Sequence, residues 1–286
     1  MATLEDGPTR QLSRVASVAR AMRVLEAFAG HPEGMALATA SAELGYGKAS
    51  LSKILATLER DGFIRQDLLT DRFHLSWRLL ALAFRHAQGV GIHTLCMPIL
   101  QALADETDEL VQLAVVEGSQ VLFVAKAEGP GRRIRMLPLV GVIAPVHATA
   151  SGKLWLASLP LAEAKRVVAG MRLQALGPRT ITSRARLLEE LVTVRRQGYA
   201  VVDEELVEGG RAAAAPIACG TRLVGTVAVS GPTFRVSVTR LHELAPRMQR
   251  AASELAAVWP PHVGARDFGV GVASPHTARP RGGKTP

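Results

Sequence analysis

The stretch from Ala36 to Gln66, ALATASAELGYGKASLSKILATLERDGFIRQ, leaves few folds open. It predicts a short helix over Thr39–Leu44, a turn at Gly45-Tyr46-Gly47 and a second helix from Lys48 to Asp61. Glycine takes positive φ without steric cost, which suits the turn. In the second helix Leu51, Ile54, Leu55 and Leu58 fall at i, i+3, i+4 and i+7, the stripe of a helix packed along one side. Gly62 follows where a glycine commonly ends a helix. The opposite side shows Lys48, Ser50, Ser52, Lys53 and Thr57, and no acid appears before Glu59. Such a helix suits a DNA major groove. A helical hairpin in an enzyme shares the same periodicity, so the stretch alone leaves both readings open.

The flanks extend the pattern. From Ser13 an amphipathic helix is expected, with Val18, Met22, Leu25 and Phe28 on one side and an end near Gly30. Phe63–Gln66 and Arg72–Leu75 flank Leu69-Thr70-Asp71 as a short hairpin. Three helices and a hairpin make a winged helix-turn-helix. Its wing offers Arg65, Arg72 and His74 to phosphates, contacts that position rather than specify. A solvated hairpin edge is the plainer reading of those three.

At 286 residues the chain has room for two domains, and 48% hydrophobic with 21% charged residues is the balance of a globular protein. No apolar run approaches the ~20 residues of a membrane helix. The first residues, MATLEDGPTRQLSR, carry no apolar signal core, so a cytoplasmic protein is expected. Cys96 and Cys219 lie far apart without a CxxC, which argues against a disulfide framework, structural zinc or thiol redox chemistry. The net charge of +9 invites a nucleic-acid reading, yet residues 1–75 hold nine cations against nine anions. What favours DNA is therefore local: an acid-free run from Arg10 to Arg23 and the acid-free helix face.

Trp77 to His86, WRLLALAFRH, is too apolar for a free linker and is expected to pack on a partner chain; Gly89 and Gly91 interrupt it. His86, His93 and Cys96 match no common metal spacing, so no metal is expected, and no cofactor motif is present. A helix over Leu95–Thr107 opens the second half. Two strands then meet at Gly118-Ser119, and Arg132–Leu137 reads as a third. Helices follow at Leu161–Val168 and Ser183–Arg196, strands at Tyr199–Glu205, Ala213–Ala218 and Leu223–Ser230, and a last helix at Val238–Val258. This α+β order suggests an antiparallel sheet flanked by helices. The lead 1–12 and the Pro-, Gly- and Arg-rich tail 260–286 read as disordered.

Several blocks together resemble the IclR-type bacterial transcriptional regulators. They are SVARAMRVLEAF, LGYGKASLSKILATLERDGFIRQD, RFHLSWRLLALA, APVHATASGKLWLASL, RTITSRARLLEELVTVRRQGYAVVDEELVEGG and GTVAVSGPTFR, in the family's order. The resemblance implies a winged helix-turn-helix over 13–76, a dimerising linker helix over 77–92 and a GAF-like effector domain over 93–259. It also implies a homodimer or homotetramer on near-palindromic double-stranded DNA. The residues expected to meet DNA are Lys48, Ser50, Leu51, Ser52, Lys53 and Thr57, with Arg65 and Arg72 of the wing. Gly47, Ala49, Ser52 and Lys53 depart from the family's recognition helix. Lys53 replaces an arginine and lacks the planar fork that grips guanine, which points to a different target sequence.

For the effector, the resemblance points to the loop entering a helix at His147–Lys153, whose main-chain N–H groups near Ala150 to Gly152 would take a carboxylate. A capped helix start with nothing bound is the plainer reading. The expected site residues are Thr149, Ala150, Ser151, Gly152, Asp203, Ala212 and Ser230, with Met136, Leu137 and Val140 as either walls or core. Lys153 is expected to be buried and paired. Ala212 stands where many members carry cysteine, and Ala228 at a serine position, which points away from a very small polar acid such as glyoxylate and toward an aromatic one. The competing readings are an enzyme on a GAF-like scaffold and a non-specific architectural DNA-binding protein. The unrelated cysteines and the absence of a recognisable catalytic arrangement argue against the first, the neutral N-terminal region against the second.

Overall fold

The computed structural model describes residues 15–131, 136–261 and 263. The chain divides into two compact units, with the boundary between His86 and Ala87.

In the first unit α1 (Ala16–Ala29) is followed by β1 (Met35–Ala36), α2 (Leu37–Leu44), α3 (Lys48–Arg60), β2 (Ile64–Asp67) and β3 (Arg72–Leu75). The three strands form an antiparallel sheet in the order β1-β3-β2, so β1, which the sequence pattern does not predict, widens the wing. Gly45 turns the chain between α2 and α3 at φ 68°, and Gly62 sits at φ 77° beyond the end of α3. The core is Val24, Phe28, Met35, Ala40, Leu51, Leu55, Leu58 and Ile64. The expected stripe of α1 holds only in part. Phe28 is buried and Leu25 partly covered, as expected, together with Val24 and Ala21, whereas Val18 and Met22 are 55% and 51% exposed. The core of this unit meets the helix from Ala21 onward.

The next helix, α4 (Trp77–Val90), has no buried residue. Gly89 lies inside it, and the helix ends only at Gly91, whose φ of 73° no helix can continue.

The second unit contains α5 (Ile92–Thr107), β4 (Leu110–Glu117), β5 (Gln120–Glu128), α6 (Ala150–Ser158), α7 (Leu161–Gly170), α8 (Arg184–Gln197), β6 (Ala200–Asp203), β7 (Gly210–Cys219), β8 (Arg222–Pro232) and α9 (Val238–Val258). Its antiparallel sheet has the order β5-β4-β8-β7-β6. Strand side chains alternate between faces, so the two layers can be read off the register. Val111, Leu113, Ala213, Ala215, Val227 and Val229 pack with α5 and α9. Ala114, Ala200, Val202, Ala214 and Ala228 face α6 and α8. Of the expected strand at Arg132–Leu137, residues 132–135 lie outside the described residues, and Met136 and Leu137 have no regular structure. The expected lead 1–12 and nearly all of the tail likewise lie outside the described residues. No helix among the described residues is long and apolar enough to cross a membrane.

Candidate functional site

The first unit presents α3 with one face in the core and the other open. Lys48, Ser50, Ser52, Lys53 and Thr57 are all exposed, and the Thr57 hydroxyl donates back to the Lys53 carbonyl at 2.9 Å. Leu51 does not belong with them. It is 0% exposed, inside the core with Leu55 and Leu58, and cannot reach a base edge without unfolding the helix packing. Gly47 precedes α3 without a side-chain cap, so the positive end of the helix stays open to an anion beside Lys48.

The wing is divided in role. Arg65 is exposed on β2. Arg72 instead donates from Nη1 to the carbonyls of Gly34 at 3.0 Å and Glu33 at 3.4 Å, tying β3 to the loop before β1. His74 lies against that same loop: a Cβ on Gly34 would stand 2.5 Å from its Cε1. Two of the three wing side chains expected to meet phosphate thus hold the wing together. At the wing tip the Leu69 N–H donates to Asp67 Oδ1 at 2.8 Å, and this bond holds the Asp67 carboxyl below its usual range. Leu68 and Leu69 themselves are 88% and 96% exposed.

In the second unit the start of α6 is built from small residues for a steric reason. A Cβ on Gly152 would stand 2.2 Å from the Val146 Cα, so only glycine lets the helix meet that loop. Thr149 caps the helix, its Oγ1 accepting from the Gly152 N–H at 3.1 Å. One of the donors expected to hold a carboxylate is therefore already engaged. Ser151 is buried and accepts from the Thr226 hydroxyl at 2.8 Å, which pins α6 to β8. Lys153 is 0% exposed, with Nζ 2.5 Å from Glu205 Oε1 and 3.6 Å from Glu190 Oε1, the buried and paired lysine the sequence suggested. Burial pushes the Glu205 carboxyl up, while the charge of Lys153 acts the other way.

The sheet brings together some expected residues and separates one. Val202, Ala212 and Ser230 are aligned across β6, β7 and β8, and Ala200, Ala214, Ala228 and Gln112 form the next row. These rows lie on the face toward α6, a floor of mostly small side chains. Asp203 is on the other face. It pairs with Arg211, whose Nε is 2.5 Å from Asp203 Oδ1 and whose Nη1 donates to the Thr233 and Val236 carbonyls; Arg179 also binds it. Strand parity is the reason, and Val202, one residue earlier, takes the place on the floor. Met136 reaches the rim, its Cε close to Gly210, whereas Leu137 is 87% exposed and Val140 45%, neither of them a buried wall.

Sequence reasoning overlooked Gln112. It is 3% exposed, lies on the floor opposite Ala228, and its Nε2 has no hydrogen-bond partner among the described residues. A glutamine inside VQLAVV gives only one signal, a polar residue interrupting an otherwise apolar strand.

Two family models match the two units. The IclR helix-turn-helix domain covers residues 17–68, and the bacterial transcriptional regulator IclR C-terminal domain covers 84–257. The chain belongs to the IclR family. It is 32% identical over 243 residues to the HTH-type transcriptional regulator BhcR of Paracoccus denitrificans, across 83% of this chain and 85% of that one. Among solved structures, an IclR transcriptional regulator from Alicyclobacillus acidocaldarius matches with a TM-score of 0.75 and 27% identity, covering 86% of this chain and 99% of that one. A double mutant of the PobR inducer-binding domain from Acinetobacter, in complex with 3-hydroxybenzoic acid, matches with a TM-score of 0.53 and 26% identity, over 57% of this chain and 96% of that one.

This IclR-family protein is accordingly a transcriptional regulator with an N-terminal DNA-binding helix-turn-helix and a C-terminal ligand-binding domain. Its homologues are regulators rather than enzymes. His86 and His93 are exposed while Cys96 is buried in the core, and the described residues contain no group of three or more His, Cys, Asp or Glu able to hold a metal ion.

Proposed function

We propose that this protein binds a specific, near-palindromic operator as a homodimer or homotetramer, and that a small organic acid in the C-terminal domain sets its affinity. The observation that carries the ligand half is the α6-facing floor, where Val202, Ala212, Ala214 and Ala228 present small apolar side chains. Such a surface suits an aromatic acid, its carboxylate toward the start of α6 near Ala150 and its ring over the alanines. The PobR domain's 3-hydroxybenzoic acid complex supports the same class. For DNA, Lys48, Ser50, Ser52, Lys53 and Thr57 read bases and Arg65 binds phosphate. A single such helix makes few base contacts, each worth ~1–3 kcal/mol, and a second copy doubles the reading.

In this reading the winged helix-turn-helix extends to residue 76, α4 (Trp77–Val90) is the dimerising helix, and the effector domain follows from α5 to the end of α9. Trp77 and Phe84 on α4 are 74% and 60% exposed, apolar surface that a second copy would cover. An effector acts by binding one arrangement of the dimer more tightly, and the shift it causes is limited to that difference in affinity.

Fluorescence anisotropy on the regulator's own promoter DNA, against random DNA at physiological salt, tests this reading. Preference for the promoter, altered by an organic acid, is expected. Equal affinity for both duplexes, or indifference to every acid in a broad aliphatic and aromatic panel, would overturn it.

A further inference from the structure

We propose that Gln112 is the residue by which this regulator selects its effector, and that the effector is an organic acid bearing a hydroxyl group away from its carboxylate. The inference rests on the effector reading above and adds a second polar anchor to it.

Gln112 is 3% exposed, and its Nε2 has no partner among the described residues. A buried polar group without a partner costs stability, and native proteins keep few of them. The side chains nearest to Gln112 in the register offer its amide no acceptor. Its neighbours on the same face of β4 are Leu110 and Ala114. Across the sheet it faces Ala228 on β8 and Lys126 on β5, neither of which has a side-chain acceptor. The other unpaired buried side-chain atom among the described residues, Glu205 Oε2, is of a different kind, because the second oxygen of that carboxylate holds Lys153.

The position of Gln112 indicates what would satisfy it. It stands in the row of Ala200, Ala214 and Ala228, beside the row of Val202, Ala212 and Ser230. One step along the same face, Thr226 bonds Ser151 at the start of α6. The amide therefore shares a sheet face with the helix end proposed for the carboxylate, separated from it by alanines. A ligand lying on those alanines has its acid group at one end and the amide near the other. A hydroxyl fits whichever way the amide is turned, since it accepts from Nε2 or donates to Oε1. A second carboxylate would find the facing cation, Lys126, already held by Glu128 at 2.6 Å.

A site that must satisfy a buried donor rejects analogues lacking the matching group, far more strongly than an apolar wall rejects a missing methylene. Selection therefore comes from Gln112, and general affinity from the acid end and the ring.

Calorimetric titration of the full-length protein with 3-hydroxybenzoate, 4-hydroxybenzoate and benzoate tests this. The wild type is expected to bind one hydroxybenzoate at least about tenfold more tightly than benzoate. Gln112→Met, which conserves volume and removes the amide, should bring the two within about twofold while keeping benzoate binding. Because the variant also removes an unpaired buried group, its melting temperature without ligand should equal or exceed that of the wild type. A glutamine kept for structure alone would give a lower one. An unchanged hydroxybenzoate preference in Gln112→Met, or a wild type that binds benzoate equally well, overturns the selector role and leaves the organic-acid reading standing. Failure of all three probes to bind the wild type overturns the aromatic reading and this proposal together. Gln112→Asn, which keeps the amide and shortens its reach, provides the same comparison should the methionine variant fail to fold.

Discussion

The Lys153 ammonium, with no exposed surface, lies 2.5 Å from a Glu205 oxygen across the junction of α6 and the segment after β6. Removing one member of a buried pair strands the other, a loss of about 3–5 kcal/mol. The loss on removing Lys153 depends on pH. In Lys153→Met the carboxyl of Glu205 keeps the burial that pushes it up and the repulsion of Glu190, and loses the cation that held it down. The folded form then retains a proton that the unfolded chain releases near 4.5, the ordinary value. Stability is thus fully present below that value and falls as pH rises through the folded one. We expect the melting temperature of Lys153→Met to drop between pH 5 and pH 8 more than that of the wild type. A melting temperature rising over that range would contradict it.

Gly152 tests the start of α6. The added carbon of Gly152→Ala meets the Val146 backbone at 2.2 Å, and backbone cannot rotate aside as a flexible side chain can. Destabilisation of about 1–3 kcal/mol is expected, visible in urea unfolding. Large substitutions here would report on folding before they report on the effector. Bulk placed on the floor instead, as in Ala212→Met, is the cleaner way to block a ligand; it should abolish the thermal shift given by any acid that stabilises the wild type.

Much of the fold was legible in the sequence because the signals were local. The bounds of α9 at Val238–Val258 and the hairpin at Gly118-Ser119 are each written within a few residues. Asp203 shows what local signals lack. Whether a strand residue faces α6 or α9 depends on pairing with β7, and a shift of one residue exchanges Asp203 for Val202. In α1 the periodic stripe runs on through Val18 and Met22, and only the tertiary packing shows that the core meets the helix at Ala21, Val24, Leu25 and Phe28. Arg72 and His74 read as phosphate contacts because a hairpin arginine looks free until the loop at Glu33-Gly34 is seen beside it. Gln112 lay deepest, since nothing in a sequence marks a glutamine as buried and unpaired.

The two cysteines should separate cleanly by reactivity. Cys96 is packed in the α5 core, and burial pushes its thiol up to about 11, whereas Cys219 is exposed at the end of β7. A thiolate is the reactive species, so at pH 8 the native protein should show one fast thiol with a disulfide reagent. Cys219→Ser should remove it, and the second thiol should appear only on unfolding.

The wing and the reading helix can be told apart by three substitutions. Lys53→Ala, on the open face of α3, should weaken operator binding roughly tenfold with an unchanged melting temperature. Leu51→Ala, two residues away but in the core, should cost about 2–5 kcal/mol of stability in the first unit. Arg65→Ala should weaken operator and random DNA alike, lowering the salt dependence by about one counterion, because a phosphate contact carries no base preference. Anisotropy at several salt concentrations, paired with thermal melts, checks all three. A Leu51→Ala protein that lost DNA affinity at full stability would place that side chain at the DNA rather than in the core beneath α3.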